Sequence, residues 1–376
     1  MASGVGTLYD RLLHDLEHSS KVKQEVVTGR RIGFYRLKSQ LGAGNFAQVK
    51  LGLHLLTNEK VAVKIIDKTR LDDVATQLLS REISCMEKLC HQNLIKLFEV
   101  HESFTRLCLV MECAAEGNLQ SRVEDNGPFP EPQAKAVFSQ IAAGVAHMHA
   151  SGVTHRDLKP ENVFYVSSTQ VKIGDFGFST AVTDEALSTF CGSPVFAAPE
   201  LLQEQSYMGP PVDMWALGAT LYYMVTGNVP FPGSSVLQVK EKVLSGSYIT
   251  PSRVGPLCQQ LVAKLLRMEP SGRPSISATL QDPWLEGVTQ RVTETPVVGD
   301  KADSEVVEQM MSLGVPVGGD FSGLLTEPRS PTAGTYRILL HQKLQQSSEP
   351  PPLPPIPPSP PQTTGTRRKS SVCIIL

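Results

Sequence analysis

The residues best suited to chemistry lie in one stretch, HRDLKPENVFYVSSTQVKIGDFG, at positions 155–177. Asp157 is placed to orient a hydroxyl group, and Lys159 follows it as a cation for phosphate oxygens. Asn162 and Asp175 offer the hard oxygen ligands that Mg²⁺ prefers. A charged loop between two strands is the alternative, but the full set is far more specific than HRD or DFG alone. The spacing therefore predicts metal-assisted phosphoryl transfer.

A glycine-rich turn precedes this stretch, in YRLKSQLGAGNFAQVKLGLH, and joins two predicted strands. Gly42 and Gly44 lack side chains, so the backbone can close over phosphates and present amide hydrogens. Ala47 stands where a third glycine often occurs, and its methyl group is small enough to keep the turn. Lys64, in VAVK, follows at strand spacing and is a candidate to reach the α- and β-phosphates, with a surface lysine as the alternative.

Three further segments are expected to support these residues. LDDVATQLLSREISCMEKL has helical periodicity and places Glu82 where it can pair with Lys64, although helices also carry many surface glutamates. LCLVMECAAEGNLQ predicts an apolar strand that ends near Glu112. Residues 132–151 predict a long buried helix that leads into the catalytic stretch.

Composition limits the remaining possibilities. A length of 376 residues allows one large or two ordinary domains plus tails, and a formal charge of -2 gives no nucleic-acid footprint. Seven cysteines without CxxC pairs argue against a disulfide framework or a zinc site, and favour a reducing, cytoplasmic compartment. We expect no signal peptide, and the apolar stretch at residues 216–225 is too short to span a bilayer.

Taken together, these motifs resemble the AMPK-related serine/threonine protein kinases of the CAMK group. The resemblance is carried by RIGFYRL, HRDLKPENVFY, GDFGFST, STFCGSP with AAPEL, and TYRILL. It implies an α+β, two-lobed protein kinase fold at residues 31–285, with a small N-lobe (an antiparallel sheet and one helix) and a larger, mainly helical C-lobe. It also implies transfer of the γ-phosphate of ATP to Ser or Thr of protein substrates, with Mg²⁺ as cofactor.

The same resemblance assigns site residues. The catalytic residues would be Asp157, Lys159 and Asn162, and the magnesium ligands would be Asn162 and Asp175. The ATP-binding residues would be Leu41, Gly42, Ala43, Gly44, Asn45, Phe46, Ala47, Gln48, Val49, Ala62, Lys64, Glu82, Met111, Glu112, Cys113, Phe164 and Asp175. An apolar column linking the lobes would contain Met86, Leu97, His155 and Phe176.

Other roles follow from comparing this chain with the family pattern. Asp213 would brace the catalytic loop, and Arg273 would pair with Glu200. Asn118 replaces a glutamate that in relatives helps hold ribose or a basic substrate residue, which puts a preference for upstream arginine in doubt. Glu161 is a candidate to keep part of that preference.

The segment FSTAVTDEALSTFCGSPVFAAPE resembles an activation loop and contains Thr189. The resemblance implies phosphorylation of this threonine by an upstream kinase of the liver kinase B type. Arg156 would then pair with the phosphate and order the loop. The alternative is an ordinary loop threonine.

The flanking segments are predicted to be smaller modules. Residues 1–30 form a leader whose leucines at positions 8, 12, 13 and 16 would line one face of a short helix. This helix would pack on the catalytic domain or bind a partner, and the alternative is a mostly solvated leader with one marginal helix. Residues 300–342 resemble a ubiquitin-associated-like (UBA-like), autoinhibitory segment docked on the kinase, with a disordered linker as the alternative. Residues 343–376 predict a disordered tail that contains a proline-rich spacer.

The chain ends in SVCIIL, which places Cys373 in a prenylation-like box whose final leucine favours geranylgeranyl. Arg367, Arg368 and Lys369 would supply the second signal that stable membrane anchoring needs. The predicted partners are then a prenyltransferase and a membrane. A chance hydrophobic end and a carboxylate held in a peptide-binding site remain alternatives.

Two other classes of function compete with the protein kinase. A pseudokinase or scaffold would act through the N-terminal helix, the proline spacer and the lipid, but the catalytic set is complete. A kinase for small molecules would share Lys64 and the aspartates. The activation segment that ends at Glu200 favours protein substrates instead.

Overall fold

The computed structural model describes residues 6–43, 47–177, 179–181, 193–203, 207, 209–288, 302–317 and 327–347. These residues form two compact units. The first contains the described residues up to Cys113 together with residues 302–317 and 327–347, and the second contains those between Ala114 and residue 288. The segment that follows the predicted kinase region therefore belongs to the first unit.

Among the described residues of the first unit, six strands form one antiparallel sheet in the order β1-β2-β3-β4-β6-β5. Its central strand, KVAVKIID, is rich in the β-branched residues that pack well on a pleated surface. The strands are β1 (Arg31–Ile32), β2 (Tyr35–Ala43), β3 (Ala47–His54), β4 (Lys60–Asp67), β5 (Leu97–Glu102) and β6 (Arg106–Glu112).

The second unit contains two short antiparallel strand pairs. β7 (Val153–Thr154) pairs with β10 (Thr180–Ala181), and β8 (Val163–Tyr165) pairs with β9 (Val171–Ile173). Because β7 and β8 lie on either side of HRDLKPEN, and β9 directly precedes the DFG stretch, these pairs fix the backbone that carries the predicted catalytic residues.

The described residues also form helices, which include the long helix predicted at residues 132–151. They are α1 (Leu8–His18), α2 (Ser20–Val27), α3 (Asp73–Lys88), α4 (Leu119–Asn126), α5 (Glu131–Ala150), α6 (Pro199–Leu202), α7 (Gly209–Thr226), α8 (Val236–Ser245), α9 (Pro256–Leu265), α10 (Ile276–Leu280), α11 (Ser304–Ser312) and α12 (Pro331–Ser347). None of the described helices is long and apolar enough to cross a membrane.

Helix α7 is the centre of the second unit, and nearly all of its residues are buried. Gly218 lets α9 approach closely, because a Cβ at this position would lie 2.7 Å from Cβ of Leu265. Trp215 is fully buried and stacks on Phe231, with ring centroids 5.5 Å apart. A helix that is apolar on all sides must be surrounded by other elements. It therefore offers a rigid base for the catalytic loop.

Helices α1, α11 and α12 meet in an apolar cluster on the first unit, which we call the terminal cluster. Its buried residues come from the sheet (Phe34, Leu56), from α11 and the turn after it (Val306, Val307, Met310, Val315), and from α12 (Tyr336, Leu339). Leu8, Leu12 and Leu16 of α1 pack against it, whereas Leu13 is 36% exposed and points away. One face of α1 thus packs within the first unit, which agrees with the packed alternative for this helix and not with a mostly solvated leader.

Helix α12 continues to Ser347, past the boundary expected at residue 342. The reason is a set of polar contacts made by its last turns. Gln342 Nε2 donates to a carboxylate oxygen of Glu59 at 2.6 Å, and Lys343 Nζ lies 2.8 Å from Oδ2 of Asp303. These contacts stabilise residues that the sequence assigned to the tail.

Candidate active site

In the first unit, Lys64 lies in the middle of β4, where it faces Val49 of β3 and Leu109 of β6 in the sheet register. Its Nζ atom lies 2.8 Å from Oε1 of Glu82 on α3, and both side chains are about as buried as core residues, at 5% and 6% exposure. Burying two charges is costly unless they are paired with good geometry. The contact therefore fixes both the lysine and the position of α3.

The turn between β2 and β3 carries the predicted phosphate loop. Gly42 pairs with Val49 and Ala43 with Gln48, so the two strands approach each other up to the turn itself. Gly42 and Val49 are buried, Ala43 is exposed, and Leu41, Ala47 and Gln48 are half-buried. The remaining predicted residues of the loop, Gly44, Asn45 and Phe46, lie outside the described residues.

The predicted adenine-side residues of this unit lie on adjacent strands. Ala62 of β4 is directly opposite Met111 of β6 in the register, and both are buried. Glu112 ends β6 and is buried, and Cys113 follows it half-buried. Burial raises the pKa of the Cys113 thiol above its ordinary value, so this cysteine stays protonated and poorly nucleophilic at neutral pH.

In the second unit, Asp157 is the centre of a dense polar network. Its Oδ1 atom accepts a hydrogen bond from the Ser193 amide at 2.9 Å, and its Oδ2 atom lies 2.8 Å from Nζ of Lys159. Asn162 Nδ2 donates to the Asp157 carbonyl at 2.9 Å and to its Oδ2 atom at 3.2 Å. Lys159 Nζ also donates to Ser193 Oγ at 2.8 Å. The carboxylate is therefore held in one orientation beside a cation.

Asp213 of α7 fixes the backbone that precedes Asp157. Its two carboxylate oxygens accept hydrogen bonds at 2.9 Å from the amides of His155 and Arg156. Arg156 has a left-handed φ of 66°, a conformation that costs energy and persists only where the surroundings impose it. Burial alone would raise the pKa of Asp213, but the hydrogen bond and charge of His149, followed by those of His155, lower it below the ordinary value.

Asn162 and Asp175, the predicted magnesium ligands, sit on segments that are tied together. The Gly174 amide donates to the Asn162 carbonyl at 2.9 Å, and Asp175 itself has a left-handed φ of 59°. The Asn162 side-chain nitrogen donates to Asp157, so the amide oxygen is the atom of this side chain that could bind a metal. Amide and carboxylate oxygens fit Mg²⁺, which needs only one or two protein carboxylates when substrate phosphates complete its shell.

Other predicted residues of the second unit occupy supporting positions. Phe176 is buried, with its ring centroid 5.6 Å from that of His155. Asn118 caps α4 by accepting from the Ser121 amide at 2.9 Å, and its Nδ2 atom donates to the Glu161 carbonyl at 3.2 Å. Asn118 also bridges to Phe164, which is buried. Asn118 therefore has a structural role as a helix cap.

Met86 and Leu97, the other members of the predicted apolar column, belong to the first unit. Met86 is buried on α3, and Leu97 is half-buried on β5, opposite Met111. Two predicted modification sites, Thr189 and Cys373, lie outside the described residues. Arg156, the expected partner of a phosphate on Thr189, is buried and donates to the Tyr207 hydroxyl at 3.2 Å.

Two contributors to this site were missed by sequence reasoning. His149 lies 2.9 Å from Oδ2 of Asp213 through its Nε2 atom, and Ser193 contacts both Asp157 and Lys159. Ser193 lies in the STFCGSP motif, whose spacing predicts no catalytic role for it. The sequence shows only that His149 lies on a buried helix that leads into the catalytic loop. This position does not distinguish a histidine that binds Asp213 from one that packs in the core.

Comparison with known proteins defines the family. The family model described as "Protein kinase domain" matches residues 35–285, two thirds of the chain. The chain belongs to the protein kinase family. Within that family, its relatives are AMPK-related serine/threonine kinases of the CAMK group, as the sequence motifs indicated. The antiparallel sheet of the first unit and the helices of the second agree with the predicted kinase fold.

Three curated relatives illustrate the similarity. They are "Probable serine/threonine-protein kinase MARK-A" from Dictyostelium discoideum (40% identical over 266 residues, covering 70% of this chain and 25% of the relative), "Serine/threonine-protein kinase SIK1" from Mus musculus (36% over 338 residues, 86% and 43%) and "Serine/threonine-protein kinase SIK3 homolog" from Danio rerio (39% over 274 residues, 73% and 23%). The chain thus spans less than half the length of these kinases. Their names support the kinase interpretation over that of a pseudokinase or scaffold.

The match to the mouse protein covers 86% of this chain, more than the kinase domain alone. An alignment of that extent must include part of the C-terminal segment that contains α11 and α12. The similarity therefore extends into the segment that packs on the sheet of the first unit.

Proposed function

We propose that this chain is an ATP-dependent serine/threonine protein kinase that transfers the γ-phosphate of ATP to Ser or Thr of protein substrates. The observation that carries the proposal is the arrangement around Asp157. Its carboxylate is buried, oriented by the Ser193 amide and the Asn162 side chain, and lies 2.8 Å from the Lys159 ammonium. A carboxylate held in this way can accept or orient the proton of a substrate hydroxyl, with a cation beside it for the charge that develops on the transferred phosphate.

Each predicted nucleotide-binding residue would make its own contact with ATP. Lys64, oriented by Glu82, would bind the α- and β-phosphates, and the β2–β3 turn from Leu41 to Val49 would cover them. Ala62, Val49 and Phe164 would pack on adenine, and the main chain of Glu112 and Cys113 would form hydrogen bonds with it. Met111 would border the pocket behind the base.

Magnesium would be held by Asn162 and Asp175. When bound, Mg²⁺ neutralises the negative charge of the phosphates and so favours transfer of the terminal group. The left-handed backbone at Asp175 and the bond from Gly174 to Asn162 hold the two ligands on adjacent segments. The chain itself thereby supplies the orientation of the ligands.

Regulation would act through Thr189. Phosphorylation by an upstream kinase of the liver kinase B type would add a group that binds guanidinium strongly. Arg156, directly before the catalytic aspartate, is the candidate to bind this phosphate.

Substrate selection would differ from that of relatives, since Asn118 is used as a helix cap. Glu161 remains a candidate for a basic substrate residue, because, among the described residues, its Oε2 atom has no hydrogen-bond partner.

Residues 300–342 would form a UBA-like segment, and the packing of α11 and α12 in the terminal cluster supports this.

For the C-terminus, the motif around Cys373 supports prenylation by a prenyltransferase and membrane association of an otherwise cytoplasmic kinase. Intact-mass analysis of the chain from eukaryotic cells tests this. An unmodified, uncleaved Leu376 end would refute prenylation.

The decisive experiment replaces Asp157 by asparagine. We expect Asp157→Asn to keep ATP affinity within about twofold while turnover on a peptide library falls by roughly 10²- to 10⁴-fold, the usual contribution of a positioned acid–base group. Asp125→Asn, at an exposed position on α4, is the matched control and should leave both quantities unchanged. The assay is run with Thr189 phosphorylated and unphosphorylated. Undiminished phosphotransfer by Asp157→Asn would refute the assigned site.

A further inference from the structure

Helix α1 lies against the turn that follows α11. The Tyr9 amide donates to the Leu313 carbonyl at 3.3 Å. Gly314, with a left-handed φ of 84°, lies directly against Thr7, because a Cβ on the glycine would overlap the Thr7 side chain. The rings of Tyr9 and Phe34 also meet, with their centroids 5.6 Å apart. The start of the chain therefore contacts the C-terminal segment and the sheet within the first unit.

Three leucines of α1 form the apolar part of this contact. Leu8, Leu12 and Leu16 are four residues apart, so they line one face of the helix, and all three pack against the terminal cluster. Leu13 lies on another face and is 36% exposed. Amphipathic helices with anchors at this spacing are typical ligands of hydrophobic grooves. The terminal cluster thus receives α1 as such a groove receives a separate helical peptide.

Helix α1 is held less firmly than its neighbour α11. The structure describes every residue of α1 and none of them is fully buried, whereas α11 buries Val306, Val307 and Met310. A helix of 11 residues is marginal in water by itself, so α1 depends on its partial contact with the cluster. Elements with few buried apolar contacts open at low free energy, without global unfolding. Helix α1 can therefore leave the cluster while α11 stays packed.

The junction between α1 and α2 offers a hinge for this motion. Ser19 caps both helices: its amide donates to the Asp15 carbonyl at 3.0 Å, and its Oγ atom accepts from the Val22 amide at 3.4 Å. Val22 itself is buried, at 7% exposure, which anchors α2. A rotation at Ser19 would release α1 and leave α2 in place.

We propose that the terminal cluster, together with Leu313 and Gly314, is a binding site for an amphipathic helix, and that α1 is its ligand within the same chain. Bound α1 closes this site, and release of α1 opens it to a helix with leucines at the same spacing. No residue of the terminal cluster is assigned to nucleotide binding or catalysis, so the inference goes beyond the proposed kinase activity.

The first test compares two variants of the full chain by hydrogen exchange. Leu12→Asp places a charge in the apolar contact, and Leu13→Asp is the matched control one position along the helix. The α1 amides should exchange at least about tenfold faster in Leu12→Asp than in wild type, and at the wild-type rate in Leu13→Asp. Amides of β4 and β6 should stay protected in both variants. If they do not in Leu12→Asp, Leu16→Asp replaces it.

The second test measures the opened site with a labelled peptide of residues 6–19, by fluorescence anisotropy. The apparent Kd of the peptide should be at least about tenfold lower for the Leu12→Asp chain than for wild type or Leu13→Asp. The reason is that bound α1 lowers the fraction of chains whose site is open. A peptide that itself carries Leu12→Asp should not bind.

Equal affinity of the wild-type and Leu12→Asp chains for the peptide overturns the proposal, as does no binding to either chain. Unchanged exchange of the α1 amides in Leu12→Asp also overturns it. Analytical ultracentrifugation tests whether the ligand lies in the same chain. A wild-type dimer that Leu12→Asp dissociates would mean that α1 binds a second copy, and would refute the assignment within one chain.

Discussion

The buried ion pair between Arg273 and Glu200 offers a prediction whose size can be worked out from its contacts. Both η nitrogens of Arg273 donate to the Glu200 carboxylate, at 2.6 and 2.8 Å. The remaining three N–H groups of the guanidinium donate to the carbonyls of Arg267, Pro211 and Met268, at 2.8, 2.8 and 3.1 Å. All five donors of the side chain are therefore used, and the arginine is 1% exposed.

Replacing Arg273 by methionine keeps an unbranched chain but removes every one of these donors. The carboxylate of Glu200, at 10% exposure, would keep its charge without the guanidinium. Breaking a buried pair in this way costs about 3–5 kcal/mol of unfolding free energy. For a unit of this size that corresponds to a fall in melting temperature of roughly 6–20 °C. Arg273→Lys should lie between wild type and Arg273→Met, because an ammonium cannot form the bidentate fork.

Thermal and urea denaturation of the full chain would measure the change, followed through the transition of the second unit. Arg267→Lys is the matched control, since Arg267 is exposed and its Nη1 atom donates to the Gly272 carbonyl. We expect this change to cost less than about 0.5 kcal/mol of unfolding free energy. The double variant with Glu200→Gln should lose less stability than the sum of the two single variants. The reasoning is refuted if Arg273→Met costs no more than the control, or if the two changes add.

Two other predictions concern the catalytic network. Glu82→Gln should lower kcat/KM for ATP by about tenfold to a hundredfold, because the neutral amide cannot hold the Lys64 ammonium and small displacements of a phosphate-binding group are costly. Steady-state kinetics would measure this change. An unchanged kcat/KM would mean that the ion pair has no role in catalysis. Asp213 has a folded-state pKa below its ordinary value of 3.8, so the stability it contributes is complete above that value and is lost as the pH falls through the lower folded-state pKa. Asp213→Asn should therefore be less stable than wild type at neutral pH and should lose less stability as the pH falls. Urea denaturation between pH 2 and 7 would measure the free energy of unfolding of both chains. An unaltered dependence of that free energy on pH in the acid range would contradict this assignment.

Much of the site was predictable because its residues are close in sequence. Asp157, Lys159 and Asn162 share one short loop, so their spacing alone brings their side chains together once the loop is fixed. Lys64 could be placed on a strand and Glu82 on a helix from periodicity. Their contact at 2.8 Å required the family resemblance, since nothing local identifies one helix glutamate among several.

The residues that escaped prediction act across long separations in the chain. His149 matters because it meets Asp213, and Ser193 because its amide meets Asp157. No periodicity or spacing encodes such encounters, which depend on how the helices and loops of the second unit pack. The same applies to the end of α12, where Lys343 falls within the predicted tail but its Nζ atom lies 2.8 Å from Oδ2 of Asp303.

The segment from Pro328 through α12 covers an edge of the sheet. β5 is an edge strand of the six-stranded sheet, and an uncovered edge strand has backbone N–H and C=O groups that can pair with a strand of another chain. Here the Val100 amide donates to the Pro328 carbonyl at 2.8 Å, and α12 packs alongside the strand with Gly334 close to Glu99. The segment that covers this edge is itself held by the sheet, because Arg337 Nη1 of α12 donates to the Phe98 carbonyl of β5 at 3.1 Å. Protection of the edge and attachment of α12 therefore depend on the same strand.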